Sequence, residues 1–327
     1  MLKCNAVFQG GGVKGIGFAG AISVMEKAGY RFVNLAGASA GAIVAALLAV
    51  GYTGYEIEKE IMALDYTRFC ESTRLDKLGV LGKAMSLGLH FGVYKTDYFE
   101  NWLNGLLERK GRRIFGDILT GSLHESDRYK FQAVASDISQ KKMLVLPGDL
   151  AEFGIDPDEF SIARAVRMSI SIPFYFVPFK LVGPSRKSLL VDGGLLSNYP
   201  SWLLDNNTSD IERPTFGFKF SGAQEEQKHA AKINNIKEYS KAVVETLLEA
   251  HDNREISRHR GDHNRSIEIS TVISTDIGKQ KTIKTTDFNI TPEESRALFQ
   301  NGANAAKEFL TRWDFEKWKR IYRGVES

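Results

Sequence analysis

One serine sits between two glycines in Gly37-Ala38-Ser39-Ala40-Gly41, after an apolar run at 32–36 and before an Ala-rich stretch that ends near Gly51. The pattern G-x-S-x-G at a strand-to-helix turn has a mechanical reading. The serine takes a strained backbone conformation that presents its hydroxyl outward, and the residues two positions away lie too close to the opposing chain for a side chain. The next amide then points at the serine oxygen from a helix N-terminus, where unpaired N–H groups and the helix dipole favour an anion. Ser39 is therefore a candidate nucleophile for acyl transfer, with Gly37 and Gly41 as the permissive positions. The bland alternative is an ordinary small-residue helix start. The strand before and the helix after favour the chemical reading.

Gly10-Gly11-Gly12-Val13-Lys14-Gly15 follows another apolar run, at residues 5–9. It formally satisfies G-x-G-x-x-G, the dinucleotide fingerprint. That fingerprint needs an acidic residue ending the second strand, which instead ends Asn34-Leu35-Ala36. A phosphate-binding Walker loop fails too, because Gly15 is followed by Ile16 rather than Lys and Ser or Thr. Consecutive glycines serve equally as an oxyanion hole, since their N–H groups can converge on a developing alkoxide with no side chain in the way. Adjacent parallel strands would bring this loop and Ser39 to one sheet edge.

A nucleophilic serine needs a base. The histidines are His90, His124, His229, His251, His259 and His263. Four of them (229 to 263) fall in a charge-rich stretch that reads as surface, in no motif-like setting, while His90 sits in the glycine-interrupted segment and could line a site. Asp192, in Leu189-Leu190-Val191-Asp192-Gly193-Gly194, ends an apolar strand on a tight turn and is the better candidate. Taken alone, Asp-Gly is equally a structural turn.

The elements that must position these groups alternate. Residues 5–9 read as strand, 18–29 as helix, 31–37 as strand, and the segment up to Gly51 as helix. Strand–loop–helix units of this length imply parallel strands with crossover helices, an α/β class. Helix is expected at 54–70 and from Asp97, with Asp97 and Glu100 placed as a capping box. Residues 75–95 are apolar and glycine-interrupted, an active-site cover or an irregular packed loop. Residues 129–139 and 141–148 read as paired strands, 161–179 as a helix stopped by Pro173, and 187–194 as a late strand and turn. A solvated helix is expected over 225–265, a strand over 265–274, and a helix opened by Thr291, Pro292 and Glu294.

Length and composition bound the rest. The chain has 327 residues, 43% hydrophobic and 25% charged, enough for a sizeable core. A net charge of +3 does not mark a nucleic-acid binder. Two cysteines, Cys4 and Cys70, give neither a disulfide framework nor metal-ligand spacing. The longest run of apolar and small residues, 35–51, falls short of the roughly 20 needed to span a bilayer. No secretory signal is visible, so the expectation is a cytoplasmic protein, with peripheral contact at membrane surfaces left open.

The three turns together, "GGGVKG", "GASAG" and "DGG" in that order, resemble the patatin-like phospholipase family. The stretches "GVYKTDYFENWLNGLL", "AVASDIS", "ARAVRMSISIPFYFVPF", "DGGLLSNYP" and "TTDFNITPEESRALFQNGANAAKEFL" are similar to its bacterial members, so the likeness spans nearly the whole chain. Lys14 stands where many members carry Arg or Lys. The resemblance implies a three-layer α/β/α fold with a mostly parallel central sheet, in one domain over 1–327. Its motif-bearing core would span about 4–222, with an extension of about 223–327 packed on it. It further implies a Ser–Asp dyad without a catalytic histidine: Ser39 as nucleophile and Asp192 as general base. An oxyanion hole would lie within Gly10, Gly11, Gly12, Val13, Lys14 and Gly15, led by the amides of Gly11 and Gly12 with a neighbour such as Val13. Gly37, Gly41, Gly193 and Gly194 would shape the turns. No metal or organic cofactor is implied. The implied substrate is a phospholipid, lysophospholipid or other fatty-acyl ester, hydrolysed through an acyl-enzyme. Acyl transfer to another alcohol, or a non-catalytic nucleotide- or lipid-binding regulator, are the alternatives. The apolar stretches 75–94 and 171–179 could line an acyl-chain groove, with ordinary core as the equal alternative for the second.

Overall fold

The computed structural model describes residues 1–65, 68, 86–122, 127–205, 212–221, 233–234, 238–239, 242–244, 246–247, 261–274 and 280–324. β1 (Leu2–Phe8) is buried from Cys4 onward and leads through a 3-10 turn at Gly12–Gly15 into α1 (Ile16–Lys27). β2 (Tyr30–Gly37) returns parallel to β1, and α2 (Ala40–Ala49) begins immediately after Ser39. Then come α3 (Gly54–Met62), β3 (Gly92–Tyr94), α4 (Asp97–Arg109), β4 (Phe131–Asp137) and β5 (Lys142–Leu146). These are followed by α5 (Ile162–Ser169), β6 (Phe174–Phe176), β7 (Phe179–Val182) and β8 (Lys187–Asp192). The chain closes with β9 (Thr215–Ser221), β10 (Ser266–Ser270), β11 (Val272–Ser274), β12 (Gln280–Thr282), α6 (Pro292–Arg312) and α7 (Phe315–Arg323).

The main sheet has the order β10-β9-β1-β2-β4-β8-β7, with β5 also paired to β4. β10 through β4 run parallel, and β5, β7 and β8 are antiparallel additions. This is the mostly parallel, helix-flanked α/β sheet expected from the alternation of elements.

β4 is the strand that builds the site. Its Ala133 pairs with Gly37 of β2 and with Leu146 of β5, so β2 and β5 lie on opposite edges. Ala135 pairs with both Leu144 of β5 and Asp192 of β8, so β8 occupies the same edge as β2. β2 runs parallel to β4 and β8 antiparallel, and their C-terminal ends meet head to head, two residues apart along β4. Ser39 follows one end and Asp192 is the other.

The C-terminal part closes on the same core. α6 crosses α1 with backbones in contact: a Cβ on Gly302 would sit 1.8 Å from the carbonyl oxygen of Gly17, and one on Gly20 2.0 Å from that of Phe299. Thr291 and Glu294 form the expected reciprocal cap of α6, with Pro292 in its first turn.

Several local expectations are revised. At α4 the N-cap is Thr96, and no capping box forms there. Thr96, Asp97 and Glu100 instead all contact Arg167 of α5, at 2.7, 2.8 and 2.7 Å. An interhelical ion pair has won over a local cap. α5 ends at Ser169, before Pro173, and the strand expected over 265–274 breaks at Thr271, where β11 leaves to pair with β12. Helix is seen at 54–62, while most of 66–85 and most of the charge-rich stretch 225–265 lie outside the described residues.

Gly302→Ala is expected to lower the unfolding free energy by about 1–3 kcal/mol, because the added methyl must separate two helix backbones. Equilibrium chemical denaturation checks this.

Candidate active site

β2 delivers the chain into the turn at Gly37, and α2 takes over at Ala40. Between them Ser39 has φ 50° and ψ −125°, a conformation uncommon for a residue with a side chain. The flanking glycines are required by contact. A Cβ on Gly37 would lie 2.4 Å from the carbonyl carbon of Gly41, and one on Gly41 2.2 Å from the carbonyl oxygen of Phe8. The turn is thus wedged against the end of β1.

Ser39 Oγ donates to Asp192 Oδ2 at 2.7 Å. Both side chains are enclosed, Ser39 6% and Asp192 1% exposed. The other oxygen, Asp192 Oδ1, accepts from the Gly194 amide at 2.8 Å. A Cβ on Gly193 would meet the carbonyl oxygen of Val134 at 2.1 Å, so the turn after Asp192 also needs its glycine. Burial pushes the Asp192 carboxyl up to about 7, with the hydrogen bonds from Ser39 and Gly194 pulling the other way. A carboxylate so placed is a far better proton acceptor at neutral pH than an exposed aspartate.

The glycine loop lies beside the serine: a Cβ on Gly10 would be 3.2 Å from that of Ser39. Its amides are not equivalent. The Gly10 amide donates to the carbonyl of Asn198 at 2.8 Å, that of Val13 to Thr285 at 3.3 Å and that of Lys14 to Gly11 at 3.2 Å. This narrows the expected set, because Gly10, Val13 and Lys14 spend their N–H groups on the fold. The amides of Gly11 and Gly12, and of Ala40 opening α2, have no acceptor among the described residues. Gly15 closes the 3-10 turn and borders the groove described below. Lys14 lays its ammonium 4.9 Å from the Phe220 ring centroid.

Two partners of this loop come from far downstream, beyond the reach of local sequence signals. Thr285 covers Gly12, where a Cβ would meet the Thr285 carbonyl oxygen at 2.0 Å and where φ is +56°. Phe220 covers Gly11 at 2.3 Å by the same measure.

Ser39 opens onto an apolar groove of about 620 Å³, including its mouth. Ile170, Ile172 and Phe176 are among its lining residues, so the stretch 171–179 contributes to the groove. The described part of 75–94 does not line it, and residues 75–85 lie outside the described residues. The rest of the lining was not anticipated: Ile43 and Val44 of α2, Ile61 of α3, and Phe99 and Trp102 of α4, with Phe288 from the C-terminal part. Phe99 and Trp102 are spaced i, i+3 on one helix face, the only sequence signal available for them.

Of the histidines, His90 is exposed, and His263 is exposed and contacts Glu268 at 2.7 Å. His124, His229, His251 and His259 lie outside the described residues, as does Cys70. Cys4 is buried, and burial pushes its thiol up, away from reactivity. Among the described residues no group of three or more His, Cys, Asp or Glu could hold a metal ion, and no helix is long and apolar enough to cross a membrane.

Comparison with known proteins places this geometry in a family. The model of the patatin-like phospholipase family matches residues 6–205. YqhO of Bacillus subtilis (strain 168) is 37% identical over 311 residues, covering 95% of this chain and 99% of its own. A probable lipid hydrolase, 463L of Invertebrate iridescent virus 6, is 26% identical over 195 residues, 59% of this chain and 60% of that protein. In fold the chain is similar to the crystal structure of VipD from Legionella pneumophila, with a TM-score of 0.53 at 19% identity, covering 98% of this chain and 70% of that one. The chain belongs to the patatin-like phospholipase family, a family of lipid hydrolases.

Proposed function

We propose that this protein is a serine acyl hydrolase that cleaves carboxyl esters of phospholipids or lysophospholipids through a Ser39–Asp192 dyad. The 2.7 Å hydrogen bond from Ser39 Oγ to Asp192 Oδ2, made at the edge of an apolar groove, is the observation that carries this reading. As Ser39 attacks the acyl carbon, Asp192 accepts its proton. The oxyanion is stabilised by the amides of Gly11 and Gly12, with that of Ala40 at the start of α2. Collapse expels the alcohol, which takes the proton back from Asp192. Water, deprotonated by the same carboxylate, then attacks the acyl-serine and releases the fatty acid. The proton on Asp192 returns to Ser39.

The groove supports the substrate class. Its described lining holds no charged side chain, so it suits a hydrocarbon chain and gives a head group nothing to pair with. The rim supports contact with a lipid surface. Leu89, Phe91 and Phe174 are 64%, 57% and 45% exposed, and the β3–β6 register sets Gly92 beside Phe174. Phe174 lies between the groove residues Ile172 and Phe176 in sequence, and both phenylalanines have positive φ, 60° and 66°. Exposed aromatic residues at the mouth of an acyl groove suit insertion among lipid head groups.

On a chromogenic fatty ester, Ser39→Ala and Asp192→Asn are each expected to lose about a thousandfold or more in kcat with the fold intact. Full activity in either variant rejects the dyad. Because only ionised Asp192 can accept the proton, turnover is expected to rise with pH through about 7.

The same carboxylate is expected to weaken the fold. Unfolded aspartate ionises near pH 3.9, so folding is increasingly penalised from about pH 4 up to about 7, and by a constant amount above that. Asp192→Asn should therefore raise the unfolding free energy at pH 8 by about 1–4 kcal/mol and leave it unchanged at pH 4, as read by denaturation at both pH values. At the rim, the double variant F91D/F174D should lose co-sedimentation with phosphatidylcholine vesicles while turning over a soluble short-chain ester within about twofold of wild type. Unchanged sedimentation removes the rim from the account.

A further inference from the structure

The Ser39 amide occupies a gap in the backbone hydrogen-bond pattern. Pairing of β2 with β4 ends at Gly37, the Ala38 amide reaches back to Phe8, and α2 does not begin until Ala40. The Ser39 N–H thus joins neither the sheet ladder nor the helix ladder, and it is buried, so it needs an acceptor. The acceptor is the hydroxyl of Ser169, at 3.0 Å, a fully buried side chain.

We infer that Ser169 is a positioning residue for the nucleophile: it holds the Ser39 backbone in the positive-φ conformation that aims Oγ at Asp192. The inference rests on Ser39 being the nucleophile, as proposed above. Three features of Ser169 favour it. It is the last residue of α5, a helix tied to α4 through the contacts of Arg167 with Thr96, Asp97 and Glu100. Two residues on, the carbonyl of Ser171 accepts the Asp192 amide at 2.8 Å, so the same short stretch holds the backbones of both dyad members. Ile170 and Ile172, which alternate with these serines, line the groove. The stretch from 169 to 172 thus offers the Ser169 hydroxyl and the Ser171 carbonyl to the dyad backbones and the side chains of Ile170 and Ile172 to the groove, while the Ser171 hydroxyl turns back to the Arg167 carbonyl. Ser169 is also distinct from the oxyanion donors, since its hydroxyl accepts a hydrogen bond from the Ser39 amide.

Without this acceptor the Ser39 peptide can relax out of its strained conformation and carry Oγ off the line to Asp192. A displacement of about 1 Å at a reacting group costs on the order of 100-fold in rate. Ser169→Ala is therefore expected to lower kcat on a fatty ester by about 10- to 100-fold, with KM within about twofold and the acid-limb midpoint still near pH 7, because groove and base are untouched. Labelling of Ser39 by a fluorophosphonate should slow by the same factor, and Ser169→Thr, which keeps the hydroxyl, should recover most of it. If Ser169→Ala does not fold, Ser169→Cys, with a weaker acceptor of similar size, is read in the same way. A folded variant that labels and turns over within twofold of wild type overturns the inference, as does a loss that appears mainly in KM or that moves the midpoint. Absence of labelling and turnover in the wild type would instead fail the proposed function.

Discussion

The hydrogen bond between Ser39 and Asp192 exists because two strands stop on one edge of β4. β2 arrives parallel and ends opposite Ala133, while β8 arrives antiparallel and ends opposite Ala135. A sheet made only of parallel strands would carry both C-terminal ends on separate neighbours, about 5 Å apart per strand. Here the two ends face each other across a gap in a single lane. Residues 153 apart in sequence are joined by a contact of 2.7 Å. Two sets of neighbours hold these ends: the glycines that let the turns press against Phe8 and Val134, and Ser169 and Ser171, which bond both backbones.

That arrangement is costly in itself. A carboxylate nearly sealed from water and a serine held at positive φ both oppose folding. The surrounding core offsets them. Phe8, Phe18 and Phe218 are fully buried, with Phe218 stacked on the Phe8 ring and Phe18 meeting it edge-on, and α1 and α6 approach to backbone contact. The segment after β12 contributes as directly as the core does, since Thr285 covers Gly12 and Phe288 closes the groove. Both lie outside the stretch matched by the family model, residues 6–205, so the C-terminal part helps build this site.

How much could be read from sequence depended on how local the cause was. The serine turn, the alternation that fixes the α/β class and the Thr291 cap are each set by residues within a few positions, and they were legible. Asp192 was legible as a turn, but its link to Ser39 came from resemblance, because no spacing rule reports that two strands share an edge of β4. The cap expected at Asp97 gave way to Arg167, a partner 67 residues from Glu100. Which loop amides stay free was also out of reach, since Asn198 and Thr285 settle it from distant segments. Ser169 carried no motif at all. Its role depends on an amide orphaned by a strained turn, and that is visible only once the turn is built.

The central claim is that a buried carboxylate alone activates Ser39. Its most direct test is the pH dependence of covalent labelling by a fluorophosphonate between pH 5 and 9, followed by intact-protein mass spectrometry in wild type and in Asp192→Asn. The account predicts one adduct, on Ser39, forming at a rate that reaches half its maximum near pH 7 in the wild type, and a rate that is far slower and flat with pH in the variant. An Asp192→Asn protein that labels as fast as wild type with the same pH profile would contradict it.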